Sequence, residues 1–277
     1  KAGGNTFRFF DPDMQAAVDR RIIQEADLCQ SLEHNQFKLF YQGLANVDHR
    51  IIGAEALLRW EHPEDGLKFP KDFIPLTEET GLILPLGHWV LDKACSQLKE
   101  WSMRPFSRNL TLSINVSGCH FHHPRFVSEV KSVLARTGAD PARLMIHLNE
   151  SLVIKCRQKT ISIMQDLKAL GIRFALDGFG AGTSSLAMLR DLPVDQLNID
   201  GALVRNAVLH KSDATIVSSL ISMGSALGLT VNAQGVESEA QMTFLATQRC
   251  DNFQGYLINH PLGPDEFEKF LVFQNGP

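Results

Sequence analysis

The stretch Arg173-Phe174-Ala175-Leu176-Asp177-Gly178-Phe179-Gly180-Ala181-Gly182 joins a short apolar run to one carboxylate and then to a glycine-rich loop. A buried strand that delivers a carboxylate to its end and then turns through glycines can set that carboxylate beside a ligand or a cation. A tight strand-to-helix turn with Asp177 as a helix cap would use the same residues. The remainder of the chain favours the first reading, because the pattern recurs. Short apolar segments end in Glu55, Asn115, His147 to Glu150, Asp177, Asn198 to Asp200, Gln234 to Glu237, and Gln254. Helix caps account for two or three such ends, not for a carboxylate, amide or imidazole at nearly every one. Gathered on one face, these groups would form one shared polar site.

The elements that must gather them can be read from the hydrophobic pattern. Strands are expected at about 37–44 and 51–58, separated by the short polar turn Asn46-Val47-Asp48-His49. So short a connection makes an antiparallel hairpin, since a parallel crossover needs a dozen residues or more. A polar loop follows, then helices at about 71–80 and 86–101. Strands at about 110–116, 144–149, 173–177, 196–199, 230–233 and 251–255 then alternate with helices such as 157–170 and 213–227. Alternation of this kind is the mark of a parallel α/β array. A total of eight strands favours a closed barrel over an open doubly wound sheet, and neither GxGxxG nor a Walker motif argues for the latter. In a barrel the strand ends converge on one face.

Composition narrows the partners. The 277 residues carry a net charge of −4, so there is no basic footprint for a nucleic-acid polymer. The five cysteines (Cys29, Cys95, Cys119, Cys156 and Cys250) are odd in number and form no CxxC pair, which reads as reduced thiols in a cytoplasmic protein. No apolar run reaches the ~18 residues of a membrane span, and there is no signal peptide. The chain starts at Lys1, so a fragment of a longer protein, with room elsewhere for a membrane anchor, is expected. Residues 1–34 read as a linker plus a helix running from Asp11-Pro12-Asp13 to about Leu32; residues 35–277 read as one barrel domain.

Glu55-Ala56-Leu57, within Gly53–Trp60, resembles the signature of the EAL domain, the cyclic di-GMP phosphodiesterase family. The resemblance runs from about Phe37 to Phe270 and takes in Phe73–Ile83, Asn115-Val116-Ser117, Leu192–Asp200, Gln254-Gly255-Tyr256 and Pro261-Leu262. It implies an α/β fold, a modified TIM-type (β/α)8 barrel with one antiparallel strand, in agreement with the hairpin. Residues 1–15 resemble the joint that follows a GGDEF domain, which implies a preceding GGDEF-like domain in a bacterial signalling protein. Similar barrels commonly pair, so a homodimer is expected by resemblance. Active members are similar in using two divalent cations for hydrolysis. Carried over, Glu55, Asn115 and Asp177 match metal-binding positions, Glu150 the residue that holds the glycine loop, and Arg59 an arginine that meets a phosphate. The ligand-contacting set implied is Gln42, Glu55, Leu58, Arg59, Asn115, Asp177, Glu237, Gln254 and Pro261.

Departures from that pattern gather in the same mouth. His147 stands where the family has a metal-binding glutamate, Gly178 where it has a second aspartate, Asn198 where it has a lysine, and Gln234 where it has a glutamate; Ala181 replaces a threonine. The losses fall mainly on the second cation. The expectation is a degenerate phosphodiesterase that binds cyclic di-GMP as a receptor without requiring a cofactor. One divalent cation, Mg²⁺ or Mn²⁺, on Glu55, Asn115, His147 and Asp177 is left open, with His147 read as a neutral core histidine. A module that binds no nucleotide, and a weak metal-dependent hydrolase, are the alternatives. His120-Phe121-His122-His123 is read as a surface loop rather than a metal cluster, and Ser184-Ser185 as a helix start.

Overall fold

A computed structural model describes residues 24–180 and 186–275. The expected helix start at Asp11, Ala181, Gly182 and the Ser184-Ser185 pair lie outside those residues. The first described element is a helix, α1 (residues 24–33). Strands β1 (Phe37–Asn46), β2 (Ile51–His62) and β3 (Gly66–Lys68) follow, then helices α2 (Pro70–Thr80) and α3 (Ile83–Ser102). The parallel part comprises β4 (Thr111–Asn115), β5 (Leu144–Asn149), β6 (Arg173–Phe179), β7 (Gln196–Ile199), β8 (Thr230–Ala233) and β9 (Asn252–Gln254). Helices between them include α4 (Gly118–Phe121), α5 (Phe126–Thr137), α6 (Glu150–Lys155), α7 (Arg157–Lys168), α8 (Leu186–Asp191), α9 (Gly201–Ala207), α10 (Lys211–Ala226) and α11 (Glu239–Thr247), with α12 (Pro264–Asn275) last.

The sheet order is β1-β9-β8-β7-β6-β5-β4-β2-β3, and β1 also pairs with β2. That last pairing closes eight strands into a barrel and leaves β3 outside it. β1 runs antiparallel to β9, with Leu44 opposite Gln254, while β2 runs parallel to β4. The modified TIM-type barrel with one antiparallel strand is therefore what forms. β3 is a correction: the polar loop after β2 contains a strand that pairs antiparallel to the end of β2, Trp60 opposite Lys68. Its three residues carry no alternation long enough to announce it.

Two compact units divide the chain. The smaller holds the described residues up to Lys38 together with Arg59–Ile83. There Trp60 meets Phe73 edge-on with centroids 5.7 Å apart, and Phe37 lies 5.6 Å from Phe73. The larger holds Leu39–Leu58 and everything from Leu84 onward. Its core is made by the central strand residues, among them Leu112, Ile114, Ile146, Leu148, Phe174, Leu176, Leu197 and Val231, all buried. Burial of both faces explains why these strands read as apolar runs rather than alternating ones. No helix among the described residues is long and apolar enough to cross a membrane.

Candidate functional site

Caps and site residues separate cleanly in the structure. Asn149 caps α6 by accepting from Leu152 N at 2.9 Å, and Asp200 caps α9 by accepting from Ala202 N at 2.8 Å. The remaining polar strand ends turn toward one another. Parallel register aligns them: Asn115 lies opposite His147 across β4 and β5, and Asn198 lies opposite Asn232 across β7 and β8. A shift of register between Leu176 and Phe179 marks the point at which β6 delivers Asp177. Gly178, next in the chain, has open space where a side chain would stand.

Two carboxylates, buried Glu55 and half-buried Asp177, organise the mouth. Glu55 accepts from Asn115 Nδ2 and from Gln254 Nε2, each at 2.6 Å, one on each oxygen. Gln254 also donates to Gln42 Oε1 at 3.3 Å, and Gln42 donates to the Asn259 carbonyl at 3.1 Å. Asp177 Oδ1 accepts from Asn198 Nδ2 in a short contact and from Gln234 Nε2 at 3.5 Å. Asp177 Oδ2 accepts from His147 Nδ1 at 3.2 Å. Every carboxylate oxygen of the pair thus meets a side-chain N–H. Mutual hydrogen bonding is what allows charged groups to stay buried.

His147 is buried, as the core reading has it, but two carboxylates face its ring. Burial by itself lowers the pKa of an imidazole, but the Asp177 carboxylate at 3.2 Å and the Glu55 carboxylate at 3.9 Å outweigh it and raise the pKa to about 9. The two carboxylates therefore favour the protonated ring. Asp177 shows the reciprocal effect. Burial alone would raise its carboxyl, yet the adjacent imidazolium and the amide donors of Asn198 and Gln234 hold it below the usual range. The Nε2 of His147 is buried without a hydrogen-bond partner among the described residues.

Glu55, His147 and Asp177 each offer a ligand atom within 4.8 Å of the others. The donor set fits one cation with tolerance for nitrogen, such as Mn²⁺ or Zn²⁺, better than an all-oxygen Mg²⁺ site. Asn115 stands beside that set with its amide nitrogen on Glu55. A metal here has to displace the His147 proton and the amide donors first.

Two residues in this network are absent from the sequence reading. Gln196 Nε2 donates to Asn198 Oδ1 at 2.7 Å, and Asn232 Nδ2 donates to the same oxygen at 3.2 Å. Together they turn the Asn198 amide so that its NH₂ faces Asp177. Gln196 and Asn198 are two apart on one strand and so share a face; that spacing was the available signal. Next to this network lies a cavity of about 260 Å³ lined by Gln42, Glu55, Gln234, Gln254 and, from the expected set, Glu237. Tyr256, from the Gln254-Gly255-Tyr256 motif, lines it too, as does Arg205, which was not singled out from sequence.

The other expected residues sit as follows. Leu58 is half-buried near the end of β2, and Pro261 is half-buried beside Leu262, which bridges to Tyr41. Arg59 belongs to the smaller unit, buried, with its guanidinium 4.8 Å from the centre of the Phe69 ring. Glu150 begins α6, and its Oε1 is buried without a partner among the described residues. His120 corrects the surface-loop reading: it is 2% exposed, within α4, and its Nε2 lies 3.1 Å from Glu129 Oε1. The apolar ring edge of Phe126 packs on it at 4.8 Å, which periodicity over four residues could not reveal.

Comparison with known proteins agrees with this geometry. The family model described as the EAL domain matches residues 25–261. The chain belongs to the EAL-domain family. It is 37% identical over 265 residues to a bifunctional diguanylate cyclase/cyclic di-GMP phosphodiesterase, MucR, of Pseudomonas aeruginosa, covering 95% of this chain and 38% of the relative. Like its other curated relatives, MucR is far longer: the chain spans about a third of their length. Among solved structures, the PaMucR phosphodiesterase in complex with c-di-GMP superposes with a TM-score of 0.85 at 37% identity, over 88% of this chain and 99% of that one. The EAL enzyme Bd1971, bound to cAMP and cyclic-di-GMP, gives a TM-score of 0.87 at 28% identity over 92% and 70%.

Proposed function

We propose that this EAL barrel binds cyclic di-GMP in its mouth as a receptor and does not hydrolyse it. One observation carries the reading: all four oxygens of Glu55 and Asp177 are engaged by side-chain N–H donors, three of them from His147, Asn198 and Gln234. Two-metal hydrolysis needs those oxygens free for hard cations that acidify a water. Here an imidazolium and amides stand in their place, so the carboxylates are compensated before any metal arrives. The residues assigned to ligand contact are Gln42, Glu55, Leu58, Arg59, Asn115, Asp177, Glu237, Gln254 and Pro261, with Glu150 steadying the loop after β6. No cofactor is required for binding. In this reading the chain follows a GGDEF-like domain, which the dual activity in the name of MucR supports, with residues 1–34 as linker and helix, and it works as a homodimer.

The cluster of Glu55, His147 and Asp177 favours a second reading, a slow hydrolase using one nitrogen-tolerant cation. One experiment separates the two. The chain is titrated with cyclic di-GMP by calorimetry, and the same samples are assayed for linear dinucleotide with Mg²⁺ and with Mn²⁺. Binding without product is expected, and Arg59→Ala should weaken it by about 1.5–3 kcal/mol, the range for hydrogen bonds to charged groups. Formation of linear product with Mn²⁺, even slowly, would favour the second reading. Failure to bind would leave an interaction module.

A further inference from the structure

Two exposed cysteines stand on neighbouring elements at the rim of the mouth. Cys119 lies in α4, past the Asn115 end of β4, and Cys156 lies at the joint of α6 and α7, past the His147 end of β5. β4 and β5 are adjacent and parallel, with Asn115 opposite His147, so the segments that follow them start side by side. Two contacts bracket the thiols. On one side Gly118 meets Leu152: a Cβ on the glycine would stand 3.7 Å from Leu152 Cδ1. On the other His122 Nε2 lies 2.8 Å from Thr160 Oγ1, and Lys159 Nζ donates to the His122 carbonyl at 2.8 Å. Cys119 lies between Gly118 and His122 in the chain, while Cys156 is one helical turn from Leu152 and one from Thr160. Thr160 Oγ1 also donates to the Cys156 carbonyl at 3.0 Å, so the His122 ring reaches the backbone of Cys156 through one hydroxyl. His120 and Phe121 turn inward and are buried, which leaves Cys119 on the outer side of α4.

We infer that Cys119 and Cys156 are a redox-active pair that closes to a disulfide across this rim. Bridged cysteines hold their Cα atoms about 4.4–6.8 Å apart, which suits two backbones that touch through side chains on both sides of the pair. Cys156 precedes α7 and makes no side-chain cap bond, so its sulfur is not committed there. Its backbone is non-helical, φ −141° and ψ 50°, and the joint can turn the side chain without unwinding either helix. The other thiols stand apart. Burial pushes the Cys95 and Cys250 thiols up to about 12, which keeps them inert. Cys29 lies in α1, within the smaller compact unit. The oxidant that exposed thiols can meet is a low-molecular-weight disulfide such as glutathione disulfide. One protein thiolate attacks a sulfur of it, forms a mixed disulfide and releases one glutathione thiolate. The second protein thiolate then attacks the protein sulfur of the mixed disulfide and releases the other. The pair gives up two electrons and two protons, and one glutathione disulfide becomes two thiols. The bridge joins the segments that follow Asn115 and His147, two strand ends of the carboxylate network.

The test treats the reduced chain with glutathione disulfide, counts free thiols and maps linked peptides by mass spectrometry after non-reducing digestion. It is run on Cys29→Ser, which removes the third exposed thiol, and on the same chain carrying Cys119→Ser or Cys156→Ser as well. All three positions are exposed, so the variants should fold, and a thermal melt checks that. Cys29→Ser should lose two thiols, retain no glutathione and yield one peptide pair joined through Cys119 and Cys156. The rate of closure should not depend on protein concentration, and dithiothreitol should restore both thiols. With Cys119→Ser or Cys156→Ser added, the chain should stop at the mixed disulfide and keep one glutathione on the remaining thiol. Three results would each overturn the pair: one glutathione retained on each of Cys119 and Cys156, a bridge that forms only between two chains, or no loss of thiols. None of these readouts needs a bound nucleotide, so they are independent of the receptor reading.

Discussion

Two buried histidines in this molecule face carboxylates and take opposite charges. His120, at the junction of α3, α4 and α5, faces one glutamate, Glu129, which is shared with the exposed His88 at 2.9 Å. Burial dominates there and lowers the His120 pKa, so the ring stays neutral and simply donates a hydrogen bond. His147, in the barrel mouth, faces Asp177 and Glu55 together, and its pKa rises to about 9 despite complete burial. The local chemistry is the same, a ring nitrogen about 3 Å from a carboxylate oxygen. The balance of burial and nearby charge decides the sign: burial, with His123 and His88, outweighs the single carboxylate at His120, while two carboxylates prevail at His147. One carboxylate stabilises a hydrogen bond, whereas two supply enough negative potential to hold a proton against the cost of desolvation. In the mouth that proton does part of what a bound cation would do, since it compensates the charge of the carboxylate pair.

The largest test of this contrast reverses the mouth. The wild-type chain should release no linear dinucleotide with Mg²⁺. His147→Glu, Gly178→Asp, Asn198→Lys and Gln234→Glu together should gain turnover, because each restored electrostatic element is typically worth ~10²–10³ in rate. No single reversion should do so, since these groups act as a unit. Wild-type turnover near that of an active relative would break the comparison at its root.

Next in size is removal of the partner carboxylate at each site. Asp177→Asn removes the charge that faces His147 and one of the two acceptor oxygens, and should cost roughly 3–5 kcal/mol, the usual loss when one member of a buried pair is removed. Glu129→Gln leaves a neutral His120 with a neutral acceptor and should cost about 1 kcal/mol. Denaturant melts of the two variants read the difference; equal losses would mean that the rings carry the same charge.

The pH dependence of stability follows with opposite signs. The folded pKa of His147 lies above its ordinary value of 6.5, so its contribution is full below about pH 6.5 and is lost as pH rises through about 9. The folded pKa of His120 lies below 6.5, so its contribution is present above that value and is lost as pH falls. Chemical-shift titration of the two rings should show His147 protonated and His120 neutral at pH 7.

The smallest effect concerns metal. A proton already compensates the mouth, so the affinity for cyclic di-GMP in EDTA should lie within about tenfold, roughly 1.4 kcal/mol, of that in Mg²⁺ or Mn²⁺. A larger drop in EDTA would mean that a metal joins protein to phosphate after all.

The order of elements, the hairpin at Asn46–His49 and the ring of polar strand ends were legible in the residues, because hydrophobic period and turn length are local properties. Length and spacing also sufficed to expect a barrel of eight strands. Which polar ends are caps and which are site was not legible. Asn149 and Asp200 differ from Asn115 and Asp177 only in where the backbone points them, and the barrel register sets that. The charge of His147 was equally out of reach. Glu55 is 92 positions away in sequence and Asp177 is 30, and only the parallel pairing of β2, β4, β5 and β6 brings both within 4 Å of one ring nitrogen. The same holds for Gln196 and Asn232, whose hold on Asn198 needs adjacent strands in register, and for Arg205, Glu237 and Tyr256, which a helix and two loops bring to one cavity. Residue types set what chemistry was available; long-range packing, through desolvation and the sum of nearby charges, decided which of it the mouth carries.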